Sequence, residues 1–155
     1  MSQLSLGEQP GEVRVLKLTV AYDGTDFHGF AAQPEQRTVE GVLAEAIARI
    51  AGAPITMACA GRTDTGVHAW GQVASVAVPA TVDPDIVLRA VNAQLGPEVV
   101  VRGASLVDDR GFHARHSAHW RAYRYTIVNP PAPDPFLARY PWRVPEAVGL
   151  LPLAL

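Results

Sequence analysis

Asp64 and Arg62, a carboxylate and a guanidinium two residues apart, stand inside Cys59-Ala60-Gly61-Arg62-Thr63-Asp64-Thr65-Gly66-Val67-His68. An apolar run ends at Ala60, so the pair falls on a loop that leaves a strand. Gly61 and Gly66 bracket that loop, and glycine permits backbone angles or close approaches that a side chain forbids. A lone carboxylate beside a fixed positive charge, on a loop between strands, is suited to nucleophilic work. Taken alone, the same letters also describe an ordinary turn with a solvated ion pair, worth about 0–1 kcal/mol.

The chain that must position this pair has 155 residues, 48% apolar and 18% charged, which is a globular composition rather than a disordered one. That length suits one domain with a core of its own. No basic and apolar leader marks a secretory signal, and no apolar stretch approaches the ~18 residues that a membrane span needs. One cysteine, Cys59, excludes an internal disulfide and fits a reducing cytoplasm. The net charge of −2 does not announce a nucleic-acid binder, but its distribution is uneven. Residues 110–143 hold six arginines, three histidines and a single acid, Asp134. A basic window with interleaved aromatics is what phosphate binding requires; it is also what a solvated face looks like.

Periodicity supplies the scaffold. Leu16, Leu18, Val20 and Tyr22 alternate with more polar neighbours, the pattern of a half-buried strand. Tyr22-Asp23-Gly24-Thr25 turns the chain, and Phe27 to Phe30 can close the core. Thr38 is an N-cap for a helix carrying Val39, Val42, Leu43, Ala46, Ile47 and Ile50 on one face, with Gly52 at its end. Residues 55–60 read as a strand into the Asp64 loop and 72–78 as a strand out of it. Asp83-Pro84 opens a second helix, and Val99–Val107 is the next strand. The order β-α-β-β-α-β predicts an α+β fold, a ferredoxin-like half with both helices on one face of an antiparallel sheet.

Beyond it, 108–119 reads as a polar loop. Its histidines 113, 116 and 119 have no adjacent Cys or Glu to complete a metal site, so hydrogen bonding is the expected role. Residues 120–128 alternate again and predict a further strand, with Arg121, Tyr123 and Tyr125 on one face. A proline-rich connector and an apolar tail follow. The expected organisation is a flexible leader at 1–12, an α/β domain at 13–107, and the start of a second domain at 108–155.

Two segments carry a family resemblance. Gly61-Arg62-Thr63-Asp64-Thr65-Gly66-Val67-His68-Ala69, followed by Gly71-Gln72-Val73, closely resembles the active-site signature of the tRNA pseudouridine synthase A family. Phe112-His113-Ala114-Arg115 through Arg121-Ala122-Tyr123-Arg124-Tyr125 is similar to a second stretch of the same family. The resemblance runs from about Leu16 to Trp142. It implies isomerisation of uridine to pseudouridine at tRNA positions 38, 39 and 40, with Asp64 as the essential carboxylate and Tyr123 stacked on the uracil. Arg62 would keep Asp64 ionised and fill the space of a flipped base, with Arg115 and Arg121 among the residues facing RNA. The implied partners are tRNA and a second copy of the chain, with no cofactor, no metal and no membrane. Family members continue into a second, pseudo-symmetric half, so the chain resembles the N-terminal portion of a longer enzyme. Two other readings stand beside this one: a fragment that binds RNA without turnover, and an aspartic protease subunit contributing Asp64-Thr65-Gly66 to a carboxylate dyad. An arginine beside the carboxylate opposes the proton sharing that such a dyad needs.

Overall fold

The computed structural model describes residues 12–109, 111–129, 132–136 and 138–146. The expected leader, apart from Glu12, and the apolar tail from 147 onward lie outside those residues. The chain divides into two compact units, Met1–His119 and Trp120–Leu155, so the 108–119 loop packs with the first.

In the first unit the chain runs β1 (Val13–Tyr22), α1 (Val39–Ala51), β2 (Met57–Cys59), β3 (Ala69–Pro79), α2 (Pro84–Leu95) and β4 (Val99–Val107). The sheet is ordered β2-β3-β1-β4, and every neighbouring pair is antiparallel. Alternation along β1 is the reason it is central: Leu16, Leu18, Val20 and Tyr22 are buried, and the residues between them are not. Register then aligns Leu16 with Val76 and Leu18 with Ala74, placing the apolar side chains of β1 and β3 on one face. Val99 and Val101 of β4 join that face.

Both helices cover it. Thr38 is extended, and its hydroxyl accepts from the Gly41 N–H; Gly52 ends α1 in the left-handed region. Leu43 and Ile47, one turn apart, are fully buried against the sheet, each contributing about 1.5–3 kcal/mol. Asp83 caps α2 through the Asp85 N–H, with Pro84 at the first helical position, and Val87 and Val91 face inward. Phe27 and Phe30 close the core at the end where β1 finishes.

β4 is an edge strand, and an open edge invites pairing with another chain. Here Asn92 of α2 blocks part of it. Its amide donates to the Val101 carbonyl at 2.9 Å, and its carbonyl accepts from the Val101 N–H at 2.7 Å. The side chain thus stands in for one residue of a neighbouring strand.

In the second unit, β5 (Ile127–Val128) and β6 (Trp142–Arg143) pair in parallel. The Asn129 amide fastens that pair by donating to the carbonyls of Val144 and Glu146. This corrects the strand expected at 120–128, of which only the last two residues are strand. Alternation alone does not make a strand; a neighbour must take the ladder hydrogen bonds, and among the described residues of this unit that neighbour reaches only the end of the segment, at the Thr126 carbonyl and at 127–128. No helix among the described residues is long and apolar enough to cross a membrane.

Asn92→Ala is expected to destabilise the fold by about 1–3 kcal/mol, because it strands the N–H of the buried Val101. Urea unfolding measures this; an unchanged midpoint would mean that water replaces the amide at no cost.

Candidate active site

The Asp64 loop begins where β2 runs out of partner. The Ala60 N–H still reaches the Val73 carbonyl at 2.8 Å, and the Gln72 side chain then brackets Gly61, donating to its carbonyl and accepting from its N–H. Beyond Gly61 the loop is fastened to the turn that follows β1. The Thr63 hydroxyl hydrogen-bonds the Tyr22 hydroxyl at 2.8 Å. The Thr63 carbonyl accepts from the Phe30 N–H at 2.9 Å, and the Gly66 N–H donates to the Phe27 carbonyl at 3.3 Å. The Val67 N–H returns to the Asp64 carbonyl at 3.1 Å, closing a tight turn over Thr65 and Gly66.

Two glycines make this contact backbone against backbone. A Cβ on Gly24 would stand 2.0 Å from the Val67 carbonyl oxygen, an impossible distance. A Cβ on Gly29, whose φ is already +86°, would stand 2.7 Å from the Thr63 carbonyl oxygen. His68 fills the remaining gap: its Nδ1 accepts from the Gly24 N–H at 3.0 Å and lies 3.1 Å from the Asp23 carboxylate.

With the backbone held at so many points, the charged side chains of the loop are left outward. Arg62, Asp64 and Thr65 are all exposed. Among the described residues no ion pair joins Arg62 to Asp64. The carboxylate is therefore open to whatever approaches the loop.

Arg115 is brought to the same region by the 108–119 loop. The Ala114 N–H donates to the buried Ser75 hydroxyl at 3.1 Å, tying the Phe112-His113-Ala114-Arg115 segment to β3. Within that segment, His113 Nδ1 accepts from the Arg115 N–H, and its carbonyl accepts from the His116 and Ser117 N–H groups. The histidine thus organises the turn by hydrogen bonding. Among the described residues no group of three or more His, Cys, Asp or Glu could hold a metal ion. The Cys59 thiol reports how the charges gather: burial pushes its pKa up and Glu40 adds to this, while Arg62 and Arg115 both pull it down. Both guanidinium groups are therefore within electrostatic reach of the end of β2 that feeds the Asp64 loop.

Tyr123 and Arg121 belong to the second unit. Both are exposed, Tyr123 to 71%, which suits a ring available for stacking rather than a core residue.

The residues that hold the loop were not singled out by composition or periodicity. Tyr22 reads as one more inward strand residue, Gly24 as a turn residue, and Gln72 as the start of a strand. The signal that could have found them is the pairing of a glycine-rich turn after β1 with a second glycine-rich loop before β3.

Residues 18–117 match the model of the family described as tRNA pseudouridine synthase. Among curated relatives, the tRNA pseudouridine synthase A of Thermosynechococcus vestitus is 46% identical over 127 residues, 82% of this chain and 44% of that protein. Its counterpart in Methylacidiphilum infernorum is 45% identical over 86% of this chain and 52% of its own length. That of Paramagnetospirillum magneticum is 44% identical over 85% and 52%. The chain spans about half the length of the curated relatives it matches.

Gly24→Ala is expected to cost about 3 kcal/mol in urea unfolding, since the added methyl meets backbone rather than a movable side chain. A loss below about 0.5 kcal/mol would mean that the turn moves away freely. A second expectation concerns pH. Burial raises the Tyr22 hydroxyl above its usual pKa of 10.0, against the lowering effect of Thr63 and Gln72. Below pH 10 the folded and unfolded chains both keep that proton; above it the unfolded chain loses it first, so folding weakens as pH rises through the folded-state value. Tyr22→Phe should lose about 0.5–1.5 kcal/mol at neutral pH with the Thr63 hydrogen bond, and the gap to wild type should shrink above pH 10. Melting curves from pH 8 to 11 on both proteins check this; parallel curves would refute the assignment.

Proposed function

The chain belongs to the tRNA pseudouridine synthase family, and from that premise we propose that it carries the nucleophile half of an enzyme that isomerises uridine to pseudouridine in tRNA. The observation that carries this reading is the exposed Asp64 carboxylate on a loop whose backbone is locked to the end of β1, inside the segment that matches the family. A catalytic group held on rigid backbone, with its own charge left to meet the substrate, is what reaction at a single sugar carbon requires.

In the proposed reaction the N-glycosidic bond of an extruded uridine breaks, the uracil turns, and its C5 joins the same sugar carbon. Asp64 acts at that carbon, by attack or by assisting elimination. The C5 proton is lost and N1 gains one, so the change is isomeric and calls for no cofactor. Tyr123 stacks on the uracil, a contact worth about 1–3 kcal/mol per base, and assists removal of the C5 proton. Arg62 occupies the space that the flipped base leaves, and Arg115 and Arg121 neutralise phosphates. We extend the proposal to positions 38, 39 and 40 of the anticodon arm, to a homodimer, and to the cytoplasm. We also read the sheet order β2-β3-β1-β4 with its two helices as a ferredoxin-like half.

Asp64→Ala should reduce pseudouridine formation in a tRNA transcript to background while leaving the melting temperature within a few degrees of wild type. Retained turnover would remove Asp64 from its role. Tyr123→Ala should lower kcat more than tRNA affinity, because phosphate contacts dominate affinity and stacking serves the reacting base. Equal losses in both would make Tyr123 a general binding residue instead.

A further inference from the structure

The sheet has a second face, turned away from the helices, and two irregularities in its pairing meet there. Between β1 and β3 the register passes from Val20↔Gln72 to Tyr22↔Ala69, so Trp70 and Gly71 together oppose Ala21. Between β1 and β4 it passes from Thr19↔Gly103 to Val20↔Val101, so Arg102 is an extra residue. Each is a β-bulge, a device that re-aims side chains. They lie on opposite sides of β1 at nearly the same level, and they bring one aromatic and one cation together across it. The Arg102 guanidinium carbon is 5.9 Å from the centre of the Trp70 ring, and its Nη1 donates to the Trp70 carbonyl at 3.1 Å.

The surroundings are shaped for a flat ligand. Trp70 is 77% exposed, an unusual position for the largest apolar side chain. Gly71 and Gly103 flank Thr19, each with Thr19 atoms 3.9 Å from where a Cβ would be, so the floor beside the indole carries no tall side chains. Charge is one-sided. Lys17, on the same face of β1, lies over the Phe112 ring at 5.7 Å, and among the described residues neither Lys17 nor Arg102 has a carboxylate partner. The carboxylate of Asp108, at the end of β4, is taken by Arg14. A protein-docking face would need a broader apolar patch; here Thr19, Lys17 and Ser105 interrupt it.

We propose that Trp70 and Arg102 form a platform for a single-stranded segment of the substrate RNA, the indole stacking on an unpaired base and the guanidinium, with Lys17, meeting its phosphates. This deepens the pseudouridine synthase reading and rests on it for the identity of the RNA. The platform also adjoins the Asp64 loop through one residue: Tyr22 pairs with Ala69, next to Trp70, and its hydroxyl binds Thr63, next to Asp64. Aromatic-plus-cation surfaces on sheets bind unpaired nucleic acid without needing sequence.

The test measures binding of a short oligoadenylate, which offers no uridine to react, beside pseudouridine formation in a tRNA transcript. Trp70→Leu should weaken oligoadenylate binding about tenfold and Trp70→Phe far less, at unchanged melting temperature. Arg102→Ala should reduce the slope of log affinity against log salt by about one. If wild type makes no pseudouridine and Trp70→Leu still weakens binding, the platform stands and the catalytic assignment fails. The platform is overturned if wild type shows no oligoadenylate binding, if Trp70→Leu and Trp70→Phe bind it equally, or if Trp70→Leu changes only the oligomeric state in sedimentation.

Discussion

Backbone pressed on backbone, at Gly24 against Val67 and at Gly29 against Thr63, is the constraint on which the Asp64 loop depends. Side-chain contacts can relax by changing rotamer, whereas a carbonyl oxygen 2.0 Å from a would-be Cβ leaves no such freedom. The hydrogen bonds of Thr63, Gly66 and His68 to the turn after β1 then lock the approach in place. The result is a rigid frame with an exposed carboxylate on it, which divides the labour cleanly: the backbone positions, and the Asp64 side chain stays open to solvent.

The sheet divides labour in a second way. One face is apolar without interruption through Leu16, Leu18, Val20, Val76 and Val101, and both helices bury it. The other face carries Lys17, Thr19 and Ser75, and its one deeply buried hydroxyl, Ser75, serves to dock the turn that bears Arg115. Folding energy comes from the first face and charge from the second. The 110–143 window, in which arginines outnumber acids six to one, is thus not the only source of basic residues; Arg62, Lys17 and Arg102 come from elsewhere in the chain.

Much of this was legible in the sequence, for local reasons. The ends of both helices follow from Thr38, Gly52 and Asp83-Pro84, because caps act within a turn of the residue that makes them. The strands of the first unit follow from alternation in β1 and apolar runs elsewhere, although β2 is three residues rather than the expected 55–60, Gln72 taking over the pairing at Gly61, and β3 runs Ala69–Pro79 rather than 72–78. Asp64 and Arg62 were visible as a motif. What stayed hidden is non-local: the Tyr22–Thr63 bond joins residues 41 apart, and no periodicity encodes it. The strand expected at 120–128 failed for the related reason that alternation describes one strand and says nothing of a neighbour. The bulges at Trp70 and Arg102 were equally invisible, because a register shift belongs to two strands at once.

The separation of Tyr22 from Thr63 also sets an order of events. The contacts that fasten the Asp64 loop to residues 22–30 cannot form until β1 has closed a span of some forty residues onto its partner, whereas those to β3 and within the loop are local. Closing such a span is slow compared with helix formation, which needs only neighbours. A nascent or partly unfolded chain can therefore hold its helices before the Asp64 loop takes its shape, and the geometry of that loop waits on completion of the sheet.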